Sequence, residues 1–188
     1  MRVVGVLVVL AVVAACVPDV PPSVPQSGAP PDASPSPGAT ASVIPTSSLT
    51  LADAARCDVT KPVEAPASIS AALFGGSSAH GNDALWVGGL GEDGVILVDP
   101  RFVRADGSIG WKFGWYRLAP GVLSITGRRL DADAPPLTGT VPSGYGTTGF
   151  QPSGVDFPTE GCWEVAGSVG SAHLTFVAFV LRTASPGA

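Results

Sequence analysis

Histidine, lysine and cysteine are the scarce residues of this 188-residue chain, with two His, two Lys and three Cys. Ten Lys and Arg stand against fifteen Asp and Glu, a formal charge of -5 at neutral pH. That acidic balance argues against a nucleic-acid binder, whose surface must offer a basic footprint to the phosphates. Structural zinc takes four N or S ligands, and two His with three scattered Cys leave little for it; neither metal nor cofactor is expected. A hydrophobic fraction of 45% beside 13% charged would suit a membrane protein, but the first fifteen residues carry much of the apolar excess. That run is too short to span a bilayer, for which a helix needs about 20 apolar residues. No stretch keeps a sustained period of 3.6 residues, so helix is expected to be scarce.

What is present begins with an address. Met1 and Arg2 precede an apolar run over residues 3–15, broken only by Gly5, the pattern of a signal peptide. The run ends in Val13-Ala14-Ala15-Cys16, which resembles the bacterial lipobox, with Val13 where Leu is commoner. The resemblance implies lipidation of Cys16, with a diacylglyceryl group on its thiol and cleavage just before it. Ordinary secretion is the alternative, since Val13 and Ala15 also suit signal peptidase at that bond. Cysteine arithmetic favours the anchor: with Cys16 acylated, Cys57 and Cys162 remain as one pair in a compartment where disulfides persist. Each buried methylene contributes about 0.8 kcal/mol, so two or three acyl chains hold a protein on a membrane where one does not. The expected location is the extracytoplasmic face of the cell membrane or outer membrane.

After the signal peptide (1–15), residues 16–50 read as the lipidated Cys and a linker. Residues 17–50 hold nine of the nineteen prolines and no aromatic, Lys or Arg, a composition that cannot bury a core. Polyproline-like chain at about 3.1 Å per residue would extend on the order of 100 Å. Pro22-Ser23-Val24-Pro25 has the spacing of a P-x-x-P docking ligand, but such matches are frequent by chance in Pro-rich tracts.

Residues 51–188 read as one all-β domain, an antiparallel β-sandwich. Short apolar runs at 85–88, 94–98, 109–118, 122–128, 137–141, 154–157, 162–169 and 172–182 are separated by Gly, Pro and Asp turns. Strands at this spacing indicate a sandwich or barrel. Ile109, Trp111, Phe113 and Trp115 fall on alternate positions, so a strand puts all four on one face and Lys112 and Tyr116 on the other. Burial of that face is the expectation. The competing idea makes Trp111 and Trp115, about 13 Å apart along the strand, a sugar-stacking platform. The last strand is apolar on both faces and is expected to be central.

The stretches His80-Gly81-Asn82, Ala84-Leu85-Trp86, Gly127-Arg128-Arg129-Leu130, Gly144-Tyr145-Gly146 and Gly161-Cys162-Trp163-Glu164 resemble those of a group of uncharacterised bacterial lipoproteins. Residues 157–165 with 170–177 are also similar to the closing hairpin of immunoglobulin-like extracytoplasmic domains. The resemblance covers roughly the C-terminal half and implies a fold and an address, not an activity.

Chemistry is sparse. Gly144-Tyr145-Gly146-Thr147-Thr148-Gly149 spells G-x-G-x-x-G, but a dinucleotide site needs a helix next, and Pro152 follows within three residues. No G-x-S-x-G elbow occurs, and His80 and His173 are the only histidine bases. Paired acids occur at Glu92-Asp93, Asp131 with Asp133, and Asp156 with Glu160, without a calcium-loop pattern. Charge is more informative. Arg101, Arg104, Lys112, Arg117, Arg128 and Arg129 face Asp106 alone between residues 101 and 129, a local +5 that leaves -10 elsewhere. These six are the candidate surface for an anionic partner, with internal pairing as the alternative. The expected protein is a non-enzymatic binding or structural module of the cell envelope, held at the membrane by its lipid and meeting an envelope protein or polymer. A small envelope hydrolase or a carbohydrate-binding module is the alternative.

Overall fold

A computed structural model describes residues 49–73 and 79–183. The expected signal peptide, Cys16 and nearly all of the linker lie outside these residues. By its contacts the chain divides into Met1–Ala41 and Ser42–Ala188, and every described residue belongs to the second unit.

Among the described residues nine strands build the domain: β1 (Ala79–Gly81), β2 (Leu85–Gly88), β3 (Val95–Val98), β4 (Ile109–Arg117), β5 (Leu123–Arg129), β6 (Thr138–Thr140), β7 (Gly149–Phe157), β8 (Gly161–Val169) and β9 (Ala172–Arg182). They form a five-stranded sheet in the order β1-β2-β4-β7-β6 and a four-stranded sheet in the order β3-β9-β8-β5. The all-β sandwich expected from the turn spacing is present, with β9 inside its sheet. One pair departs from the antiparallel expectation, since β3 runs parallel to β9 from Val95 opposite Phe179 to Val98 opposite Arg182. Among the described residues, helix is confined to α1 (Ala67–Ser70) and two short 3-10 turns, Leu51–Arg56 and Pro100–Phe102.

Strand β7 is five residues longer at its start than the apolar run at 154–157 suggests. Pro152 hid the extension. It pairs with Gly114 of β4, while β6 reaches only positions 154–156 of β7, so Pro152 sits where β7 has a strand neighbour on one side only. A missing N–H is tolerated at such an edge position.

Alternation on β4 decides the core. Ile109, Phe113 and Trp115 are completely buried between the sheets. Phe113 meets Phe176 of β9 edge-on at 5.3 Å between centroids, and the Trp115 indole donates to Ser153 Oγ at 3.0 Å. The second sheet makes room for it at Gly167 of β8, where a Cβ would run into the Trp115 ring, and packs Phe176 against it at 6.2 Å between centroids. A two-tryptophan platform is thereby overturned, because one of its rings fills the space between the sheets. Trp111 is only partly buried, its indole N–H donating to Gly89 O at 2.9 Å. Tyr116, expected in solvent, is partly covered, packing with Trp86 against Ile69 and Leu73 around α1.

The entering segment crosses the outer face of the second sheet and is fastened there. Cys57 and Cys162 form the expected disulfide, with Cα atoms 5.7 Å apart and a sequence separation of 105. Phe179 and Leu181 are buried beneath it, and Thr60 exchanges two hydrogen bonds with the Val177 backbone. Closing a loop of this length contributes on the order of 4 to 5 kcal/mol in the chain-entropy picture. Cys162→Ala is therefore expected to cost about 2 to 5 kcal/mol, read as a fall in Tm, and neither thiol of the native protein should react with iodoacetamide before reduction. Reactive thiols in oxidised protein, or an unchanged Tm, would contradict this role.

Candidate functional site

The fold disperses the cationic cluster of the sequence. Arg117 shares the inward face of β4 with the aromatic residues and is only 3% exposed. Its two terminal nitrogens donate to the Gly121, Gly146 and Thr148 carbonyls, clamping the β4–β5 turn to the glycine-rich loop before β7. Arg128 and Arg129 lie on β5, in the other sheet. Arg128 bonds Glu164 at 2.8 Å, and Arg129, largely buried, bonds Asp131 at 2.7 Å. The six residues therefore do not share one surface: alternation sends Arg117 inward, and Arg128 and Arg129 lie on β5 beside Glu164 and Asp131.

Arg101, Arg104 and Lys112 do come together. With Phe102, Val103, Gly110, Trp111, Gly154 and Val155 they line a groove of about 610 Å³. Its floor follows from the same alternation that builds the core. Burying Ile109 and Phe113 turns Gly110 and Lys112 outward, and Gly154 of β7 is the direct partner of Lys112. A Cβ on Gly154 would meet nothing within 4 Å, so bare backbone faces open space there. The wall is the connection from β3 to β4. Asp99 caps the Pro100–Phe102 turn by accepting from Arg101 N at 3.0 Å, and Val103 bridges to Ile109.

The three cations differ in their commitments. Arg104 is held by Asp156, with Nε 2.7 Å from Oδ1. Arg101 lies 3.3 Å from Asp99 in a pair that is largely exposed, and its guanidinium sits 5.5 Å from the centre of the Phe102 ring. Exposed pairs of this kind contribute about 0 to 1 kcal/mol, so Arg101 can turn to a ligand. Lys112 is exposed and forms no ion pair among the described residues. Phe102 leaves 51% of its surface in solvent. The groove thus offers an aromatic face, a backbone floor and two available cations. Sequence reasoning missed Phe102, Gly110 and Gly154, although Gly110 and Gly114 on the polar side of the Trp strand were a readable sign of a bare sheet face.

The other candidates do not converge. Glu160 is buried against Arg182 at 2.7 Å, so the acids Asp156, Glu160 and Asp131 each serve a different arginine. Burial alone would raise the Asp131 carboxyl, but hydrogen bonds from Arg129 and Cys162 N and the arginine's charge hold it below its ordinary value. No group of three His, Cys, Asp or Glu able to hold a metal occurs among the described residues. His173 is exposed, and its carbonyl accepts from Asn82 Nδ2 at 2.9 Å. Residues 144–149 form the expected turn and run into a strand, not a helix.

His80 is half-buried on β1 opposite Val87. Burial pushes its imidazole below the ordinary value of 6.5, with a hydrogen bond to the Thr175 backbone opposing the shift. The unfolded chain therefore takes up this proton first as pH falls. The stability is fully present above about 6.5 and declines as pH drops from there toward the lower folded value. Tm should fall between pH 7 and pH 5, and His80→Gln should flatten that slope; an equal slope in the variant would contradict the burial of the ring.

Comparison with protein-family models, with curated proteins and with solved structures found no match to this chain.

Proposed function

We propose that this is a lipid-anchored protein of the cell envelope, a non-enzymatic binding module whose groove over β4 and β7 holds an anionic ligand. The observation that carries the reading is the meeting of Arg101 and Lys112 with the exposed Phe102 ring above the Gly110 and Gly154 backbone. A volume of about 610 Å³ lies within the range of about 300 to 1,000 Å³ usual for small-molecule sites. Gly154 on the floor lets a ligand approach the strand backbone closely. The separate pairing of the acids favours binding over hydrolysis, since acid and base work needs titratable groups within reach of one reacting atom. The anchor reading rests on Cys16 in its lipobox-like setting.

Cys16→Ser tests the anchor and supplies soluble protein. In the producing bacterium the variant should leave the carbonate-washed membrane pellet for the soluble fraction, and persistence in the pellet would contradict lipidation. On immobilised dextran sulfate at low salt it should be retained, while neutral dextran should not retain it. Adding Lys112→Glu should weaken retention about tenfold with Tm unchanged, whereas equal retention would place anion binding elsewhere.

A further inference from the structure

We infer that the groove's occupant is the head group of an anionic phospholipid in the membrane that carries the anchor. The inference rests on the reading of the groove as an anion site and names its ligand.

Strand register fixes where the groove lies. Val98 of β3 pairs with Arg182 at the end of β9, Ile109 at the start of β4 pairs with Phe157 at the end of β7, and β8 begins four residues later at Gly161. The connections 99–108, 130–137 and 158–160 therefore share one end of the sandwich. The chain enters at that same end, because Cys57 is bonded to Cys162 at the second position of β8 and Leu49 packs in the cluster around them. The turns 82–84, 118–122 and 170–171 lie at the opposite end, at the far termini of the same strands. The groove and the point where the described chain enters the domain thus lie at the same end of the sandwich.

The chemistry of that end suits a lipid surface better than a free anion. The cations flank an apolar projection: Phe102 is half exposed, and Leu51 and Leu130 are exposed at the same end. An aromatic ring between basic side chains is the arrangement of interfacial anchors, where the ring enters the headgroup region and the cations meet the anionic surface. Arg101 and Lys112 would share the phosphodiester oxygens, with Phe102 beside the glycerol and upper acyl carbons. Arg104 stays with Asp156 and holds the wall.

The test uses the chain from residue 16 onward with Cys16→Ser, which keeps every described residue and lacks the acyl group. Flotation with phosphatidylcholine vesicles containing 30% phosphatidylglycerol, at about 50 mM salt where screening is weak, should carry the protein upward; pure phosphatidylcholine should not. Lys112→Glu should reduce flotation about tenfold and Phe102→Ala several-fold, with Tm preserved. Val122→Ser, an exposed position at the opposite end, should float as the parent does. Flotation unaffected by Lys112→Glu and Phe102→Ala overturns the inference. Absence of flotation together with Lys112-dependent retention on dextran sulfate overturns the lipid as ligand and leaves the anion groove standing. Absence of both overturns the two readings together.

Discussion

The seating of Trp115 on Gly167 is the contact on which the rest of this molecule depends. A strand alternates its side chains strictly, so placing that indole between the sheets fixes the direction of every neighbour on β4. Ile109 and Phe113 go inward with it, and Arg117 follows to become the buried clamp of two turns. Gly110, Lys112 and Gly114 must then face outward, against Gly154 and Pro152 of β7. The groove is the reverse side of the core. No separate device is needed to build it beyond the β3–β4 connection that walls it.

The second constraint is the bond between Cys57 and Cys162. It holds the entering segment over Phe179 and Leu181 and so determines at which end of the sandwich the chain arrives. Arg129 and Asp131 lie beside the disulfide, Asp131 also accepting from Cys162 N at 3.1 Å. Cations adjacent in sequence thus have different duties: Arg129 braces the bridge, Arg117 braces the opposite turns, and Arg101 and Lys112 stay available to a ligand.

The strands were legible because their turns have strong local chemistry and their faces alternate. Where both signals weakened, the reading weakened with them. Pro152 masked the first half of β7, and β1, with Ala79, His80 and Gly81, has too little apolar content to register as a strand. The parallel pairing of β3 with β9 is set by long-range packing that no local pattern reports. The face of the Trp strand was legible in full for Ile109, Phe113 and Trp115, and the same period-two argument carried one step further would have placed Arg117 inside. Of the candidate site, the sequence showed the concentration of cations but not its division, since two of the pairings, Arg104 with Asp156 and Arg128 with Glu164, join segments 30 or more residues apart. Phe102 could not be singled out, because its exposure follows from a three-residue turn.

Two glycines test most directly whether one alternation makes both core and groove. Gly154 and Gly167 lie in the middle of strands, Gly154 facing open space and Gly167 facing the Trp115 ring. Valine is favoured in strands, so backbone preference alone would let either site accept it. Thermal unfolding of Gly154→Val and Gly167→Val should separate them. Gly167→Val is expected to lose about 1 to 3 kcal/mol or more through overpacking, and Gly154→Val to keep or raise the parent Tm. Equal loss in both variants, or a stable Gly167→Val, would mean that Trp115 does not fill the space between the sheets.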